Sequence, residues 1–458
     1  MEHETLLNKM HKNALDCTEE FGHNRKRAPA GQQGVGKMKK GGRVFYGWFI
    51  VAACFLIMSV SIGILNNATG VYVKPVCEDM GFSRQQMALN NTLVAACQMA
   101  VALCAGRIYG RFDLKNVMRV SGIVLALGYA SYSVAQNLWM FYLSSLVCGL
   151  AQGLLVAVSV SMLVSNWFHA RRGTAMGIAS MGSGVGGMIC NPLAAQLILA
   201  FGWRHTYQIL ACVIFVLVVP ACFFIIRTRP EEKGLRPYGQ TEEETIVQRE
   251  TQGMTARQAR RTPTFWVLCV CGAINGISAV SLMHNVAPHL NDNGYSALFS
   301  SAVVSACMAS LAIGKALLGY LFDKLGPRRA TTLANCCSIL ALIGMVLVPL
   351  SPAIGLIVAG CGIGGAFGAV GTPILTLNLF GGREYGAILG MFTAFSNLGS
   401  MVGPLLVSGT YDRLGRYDPA FLAVAVLMAC ALLAYRRVLP KGEGVPEKQK
   451  EKEEVPLQ

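Results

Sequence analysis

The chain has 458 residues, of which 53% are apolar and only 14% charged. That balance excludes an ordinary water-soluble globule and a disordered chain, and makes a bilayer the expected solvent. A spanning helix needs roughly 20 apolar residues, so this length holds a dozen spans with short loops and little room for a soluble catalytic domain.

Residues 1–43 are polar and basic, with no apolar core before a cleavage site, and read as a cytoplasmic tail and not a signal peptide. Apolar segments then recur at about 44–66, 86–106, 117–136, 138–166, 174–197, 205–227, 264–286, 297–321, 330–350, 353–379, 385–408 and 418–435. They predict an all-α membrane protein of twelve transmembrane helices. The charged stretch from Thr228 to Pro263 divides the set six and six. The organisation is therefore a first bundle over 44–227, a cytoplasmic linker over 228–263, a second bundle over 264–437 and a cytoplasmic tail over 438–458.

The net charge of +15 is explained by topology. With both termini inside, most of the 39 Lys and Arg fall on cytoplasmic loops, as orientation by basic residues requires, and no nucleic-acid partner is implied. Nearly all of the 16 cysteines sit in apolar runs and read as small buried residues. Cys77 is placed in an external loop, with no external disulfide partner.

The two halves repeat. Met80-Gly81-Phe82-Ser83 returns as Asn293-Gly294-Tyr295-Ser296, at an offset of 213 residues. The same offset relates Gly106 to Gly319, Gly149 to Gly362, Gly173 to Gly386, Gly177 to Gly390, Gly186 to Gly399 and Gly202 to Gly415. Parallel six-helix repeats with a cavity between them at mid-membrane form a transporter architecture.

The loop after the eighth segment reads Gly319-Tyr320-Leu321-Phe322-Asp323-Lys324-Leu325-Gly326-Pro327-Arg328-Arg329. It resembles the Gly-x-Leu-x-Asp-Arg-x-Gly-Arg-Arg signature of the major facilitator superfamily. A carboxylate beside basic residues can pair with them or with a nearby helix N-terminus, making Gly319, Asp323, Arg328 and Arg329 a candidate conformational latch. In the first half, Gly110 stands where the signature has Asp, and Asp113 is the candidate substitute. The run from Asn166 to Gly187, with Arg171-Arg172-Gly173, is similar to the monocarboxylate and oxalate/formate porters. So is the second-half run from Tyr385 to Pro404.

That resemblance implies an Asp/Arg pair in helix 8 and a Lys in helix 1; this chain has Leu311, Lys315 and Asn67 at those positions. All 24 Asp and Glu lie in tails, loops or span ends, and Lys315 is the one basic residue inside a span. A lysine there is costly, so an anion that neutralises it gives it a role, against the plain alternative of snorkelling to the interface.

Polar residues at helical depth supply the remaining candidates. Asn275, Ser278, Ser281 and Asn285 form one stripe on helix 7, expected to face the cavity. Asn67, Gln152 and Asn397 join Lys315, Asn275, Ser278 and Ser281 as expected substrate-binding residues, within a wider polar set that includes Asn66, Gln98, Thr372, Thr393 and Ser396. Gly182, Gly184 and Gly187 fit a dinucleotide-binding spacing but lie inside a span and follow no strand. No metal-ligand run or catalytic set is present, so the expectation is no enzyme, no cofactor and no metal.

The sequence thus predicts a secondary transporter of a small organic anion, a carboxylate by family resemblance, working by alternating access. A facilitator or exporter of a neutral or amphipathic metabolite is the alternative, and a transporter-like solute sensor the reading from another class. The expected setting is a monomer in a plasma membrane, a bacterial inner membrane by resemblance, with both termini cytoplasmic.

Overall fold

A computed structural model describes residues 45–239, 253–348 and 351–439. The tail predicted over 1–43, all but the start of that over 438–458, and the middle of the linker lie outside the described residues.

Twelve long helices follow one another along the described residues. Helix α1 is Tyr46–Met80, α2 Arg84–Arg111, α3 Leu114–Val134 and α4 Leu138–Trp167. Helices α5 (172–201) and α6 (203–225) are joined at Gly202, whose φ of 76° breaks an otherwise continuous rod. Helix α7 is Pro263–Asp292. Gly326, with φ 78°, likewise separates α8 (297–325) from α9 (327–346). Helix α10 covers 351–380, α11 is Tyr385–Leu414 and α12 is Asp418–Val438.

All twelve predicted segments are present, most of them longer than their apolar cores. The largest difference is in α1, which runs on to Met80 and places Cys77 inside a helix, not in a loop. Hydropathy falls at Asn66 and Asn67, but the backbone continues through a wide π-helical turn at Gly63–Asn67 and stops only at Gly81, where φ is 70°. An exposed Lys74–Glu78 pair one turn apart solvates this extension.

The 213-residue repeat has structural counterparts. Gly81 and Gly294 both take left-handed φ, 70° and 86°, as do Gly202 and Gly415, at 76° and 67°. Ser83 caps α2, bonding the Gln86 amide, and its counterpart Ser296 caps α8 through the Phe299 amide. Arg172 and Tyr385, likewise related, open α5 and α11.

Large apolar side chains point outward along the spans, among them Leu199 at 88% exposure, Leu298 at 83% and Leu405 at 72%. Such exposure is costly in water and ordinary in hydrocarbon. Inside the first half, Tyr72, Tyr129, Tyr132 and Tyr207 make a buried aromatic cluster, with Tyr72 and Tyr207 stacked at 4.2 Å.

The described ends of the linker dock on repeat-equivalent loops. The Tyr238 amide donates to the Trp167 carbonyl at 2.9 Å, ahead of α5, while the Met254 amide donates to the Phe380 carbonyl at 2.8 Å, ahead of α11. Glu384 then accepts from the Ala256 amide at 2.8 Å. The described ends of the linker are thus fastened to both halves.

Candidate functional site

The halves meet along two seams related by the repeat. In one, α5 lies against α8: a Cβ added at Gly177 would sit 2.5 Å from the Lys315 carbonyl oxygen, and one at Gly319 would sit 2.2 Å from the Gly173 carbonyl oxygen. In the other, α2 lies against α11: a Cβ at Gly390 would sit 2.0 Å from the Ala102 carbonyl oxygen, and one at Gly106 would strike Ala387. Only glycine permits backbones this close. Ala102 and Lys315 are repeat partners, so the seams share their backbone and differ in this side chain.

Asp323 closes the first seam at its end. Its carboxylate accepts the Gly173 amide at 2.8 Å, the Thr174 amide at 2.6 Å and the Thr174 hydroxyl at 2.7 Å. These are orphan donors of the α5 N-terminus, where the helix dipole also favours a negative charge. Asp323 thus reaches the helix N-terminus of the other half, and Gly319 packs on Gly173 beside it. The other expected members differ. Arg328 donates to the Arg436 carbonyl at the end of α12, at 3.1 Å, and Arg329 is exposed.

Among the described residues, Asp113 has no hydrogen bond or ion pair to α11. It caps α3, accepts from the Thr228 hydroxyl at 2.8 Å and pairs with Lys115 at 3.5 Å, which also holds Glu232 at 3.0 Å. It fastens the start of the linker because it lies past the end of α2, three residues beyond Gly110, the repeat partner of Asp323.

Immediately beyond the seams, away from the basic loops, a cavity of about 280 Å³ lies between the halves. Its polar lining comprises Asn66 of α1, Gln98 of α2, Gln152 and Ser161 of α4, Ser180 of α5, Thr372 of α10, and Thr393, Ser396 and Asn397 of α11. Ser180 and Thr393 are repeat partners facing one space. Apolar contacts come from Met58, Ile62, Val156, Val160, Pro373 and Leu389. Among the described residues, no charged side chain lines it.

Of the expected substrate-binding residues, Gln152 and Asn397 reach this cavity. Asn67 does not: its amide donates to the Ser183 carbonyl of α5 at 3.1 Å, while its neighbour Asn66 faces the cavity. The α7 stripe is also absent from the lining, contrary to expectation. Asn275 is buried and donates to the Cys271 carbonyl and toward the Tyr435 hydroxyl of α12, and Asn285 donates to the Ser281 carbonyl. The hydroxyls of Ser278 and Ser281 are buried without partners, Ser281 facing α11 at Gly403. Helix 7 turns its polar face to its own bundle because α11 packs on it through Gly276 and Gly399.

Lys315 lies behind the cavity wall. It is 7% exposed, and its ammonium donates to the Ser183 hydroxyl across the α5–α8 seam. Ser183 in turn donates to the Ser180 carbonyl at 2.9 Å, so one serine links the lysine, Asn67 and the cavity edge. Ser161, Ser180 and Ser183 were missing from the predicted set. Ser180 and Ser183 lie among the glycines of α5 and give no periodic signal, so only the pairing of α5 with α8 reveals them, while Ser161 lies in an apolar run of α4.

The family model of the Major Facilitator Superfamily matches residues 48–378 and 353–458. The chain belongs to that superfamily. It is 24% identical over 402 residues to human monocarboxylate transporter 11, covering 85% of this chain and 82% of that one. Mouse monocarboxylate transporter 12 is 23% identical over 425 residues, 86% of each chain. The MFS-type transporter pytF of Aspergillus terreus is 27% identical over 288 residues, 62% of this chain and 91% of that one. In fold, the E. coli fucose:proton symporter FucP superposes with a TM-score of 0.67 at 13% identity, over 86% of this chain and all of that one. The human organic anion transporter MFSD10 gives 0.64 at 14% identity, over 85% and 99%. The superfamily member described here is accordingly a multi-pass membrane transporter of a small-molecule solute, with the twelve-helix fold, and not an enzyme.

Proposed function

We propose that the chain carries a small organic anion, a carboxylate, by alternating access, with Lys315 supplying the charge. The observation that carries this reading is the lysine's environment. Its ammonium is buried against one neutral hydroxyl, and among the described residues every helical Asp and Glu lies near a helix end. A lysine at mid-span costs roughly 2.5–3.5 kcal/mol on insertion scales, and an anion would offset that cost. Ser180 at the cavity edge is one turn from Ser183, about 4.5 Å along the axis. At a charge separation of about 8 Å and an effective dielectric of about 20, an anion in the cavity gains about 2 kcal/mol from the ammonium without touching it. The similarity to monocarboxylate transporters supports the same substrate class.

The basic residues of the loops support a cytoplasmic side for the sealed end, and with it the reading of both termini as cytoplasmic in a plasma membrane. The two glycine seams and the Asp323 cap then define an outward-facing state, and rocking the halves would part the seams and release the cap.

A second reading, transport of a neutral or amphipathic solute, is favoured by the uncharged lining of the cavity. Uptake into proteoliposomes of labelled mono- and dicarboxylates, beside neutral polyols, separates the two. A solute that binds should also stabilise purified protein, by about 2.7 kcal/mol at a hundredfold excess over Kd. Carboxylate-specific stabilisation and flux support the anion reading, and neutral-only flux replaces it. Saturable stabilisation with no flux in either direction would mark a sensor.

A further inference from the structure

The amides of Gln98 and Gln152 form a chain whose direction is set by the backbone. Gln152 reaches the Ser61 carbonyl at 2.9 Å. A carbonyl only accepts, so the Gln152 group facing it is the NH2, and its oxygen points the other way. That oxygen accepts from the Gln98 NH2. Among the described residues the Gln98 side-chain oxygen has no hydrogen-bond partner, and Gln98 lines the cavity. The cavity wall therefore presents a fixed acceptor, which neither amide can reverse without facing two acceptors or two donors together.

The fold does not require this pair. The repeat partners of Gln98 and Gln152 are Leu311 and Gly365, and there the leucine side chain packs into the space beside the glycine, 3.1 Å from where a Cβ would stand. One half offers an amide chain where the other has an apolar contact. The polar version is specific to the first half and opens onto the solute's space.

We propose that Gln98 is a specificity-determining residue that accepts a hydrogen bond from a hydroxyl on the transported solute. The cavity's own hydroxyls and Asn66 and Asn397 can donate to a carboxylate, but the Gln98 oxygen repels one and requires a donor. A solute without one would leave that oxygen desolvated and unpaired, the arrangement by which a polar site rejects a close analogue. This inference rests on the reading that the cavity holds the solute, and it adds a hydroxyl to the carboxylate proposed above.

The test compares solutes differing by one hydroxyl: 3-hydroxybutyrate with butyrate, 4-hydroxybutyrate with butyrate, and propane-1,2-diol with propan-1-ol as a neutral pair. Affinity is read as thermal stabilisation of the purified full chain, and flux in proteoliposomes. For at least one pair the hydroxylated member should bind about tenfold more tightly, the scale of one neutral hydrogen bond. Gln98→Met, of similar volume, should bring that ratio to about one, with melting behaviour reporting that the variant is folded. Equal binding of both members in every pair by the unaltered protein would overturn the assignment and leave the anion reading intact, and needs no variant to fold. A preference that survives in Gln98→Met would also overturn it. A preference confined to the neutral pair would support Gln98 and remove the anion.

Discussion

The Asp323 carboxylate of one half accepts both the backbone amide of Thr174, at 2.6 Å, and its hydroxyl, at 2.7 Å, in the other half. Hydrogen bonds to a charged group are worth about 1.5–3 kcal/mol each, so this contact is able to bias the balance between access states by tenfold or more. Asp323→Asn keeps an acceptor but loses the charge and should lower transport severalfold at similar expression. Asp113→Asn, which touches the linker and not the seam, should have a smaller effect. Equal losses would contradict the asymmetric latch.

Gly390 marks where the second seam is tightest. A methyl group there would stand 2.0 Å from the Ala102 carbonyl oxygen, whereas at Gly409, on the same helix, it would meet nothing within 4 Å. Gly390→Ala should therefore hold the seam apart and abolish most transport while the protein still folds, the local cost being about 1–3 kcal/mol. Gly409→Ala should transport normally. Uptake assays on the two variants check this, and normal uptake by Gly390→Ala would show that α2 and α11 do not meet in the cycle.

The linker anchor carries a pH signature. Burial tends to raise the Asp113 carboxyl, but the Thr228 hydroxyl and the amide and ammonium of Lys115 prevail and hold it below the usual carboxylate range. The Lys115 ammonium that pairs with it also holds Glu232 at 3.0 Å. A depressed acid stabilises above its unfolded pKa and loses that contribution as pH falls through the folded value. The anchor should hold from about pH 5 up to neutral pH and weaken below about pH 4. Hydrogen exchange at Thr228 and Arg229 should be slow across that window and faster in Asp113→Asn. Unchanged exchange in the variant would show that other contacts fasten the segment.

The helices, their number and their pairing into halves were legible because membrane spans and a 213-residue repeat are strong signals. Gly81 with Gly294 and Gly202 with Gly415 carry the repeat down to backbone conformation. The cavity was less legible. Periodicity grouped Asn275, Ser278 and Ser281 correctly on one face of α7, but it carries no information about which neighbour that face meets, and the glycines of α7 and α11 bring it against its own bundle. Asn66 and Asn67 are neighbours in the π-helical turn of α1 and point different ways, so choosing between them required the position of α5. Gln98 was visible as a polar residue; its free oxygen emerged only from the contact chain back to Ser61.

Lys315 tests the central claim most directly, because it joins the seam, the cavity edge through Ser183, and the charge of the solute. Carboxylate uptake and binding are to be compared in proteoliposomes of the unaltered protein, Lys315→Gln and Lys315→Arg. The account predicts that Lys315→Gln abolishes both without loss of folded protein. Lys315→Arg should keep part of each, since the charge remains while its geometry changes. Unchanged affinity and turnover in Lys315→Gln would contradict the anion site and leave the neutral-solute reading in its place.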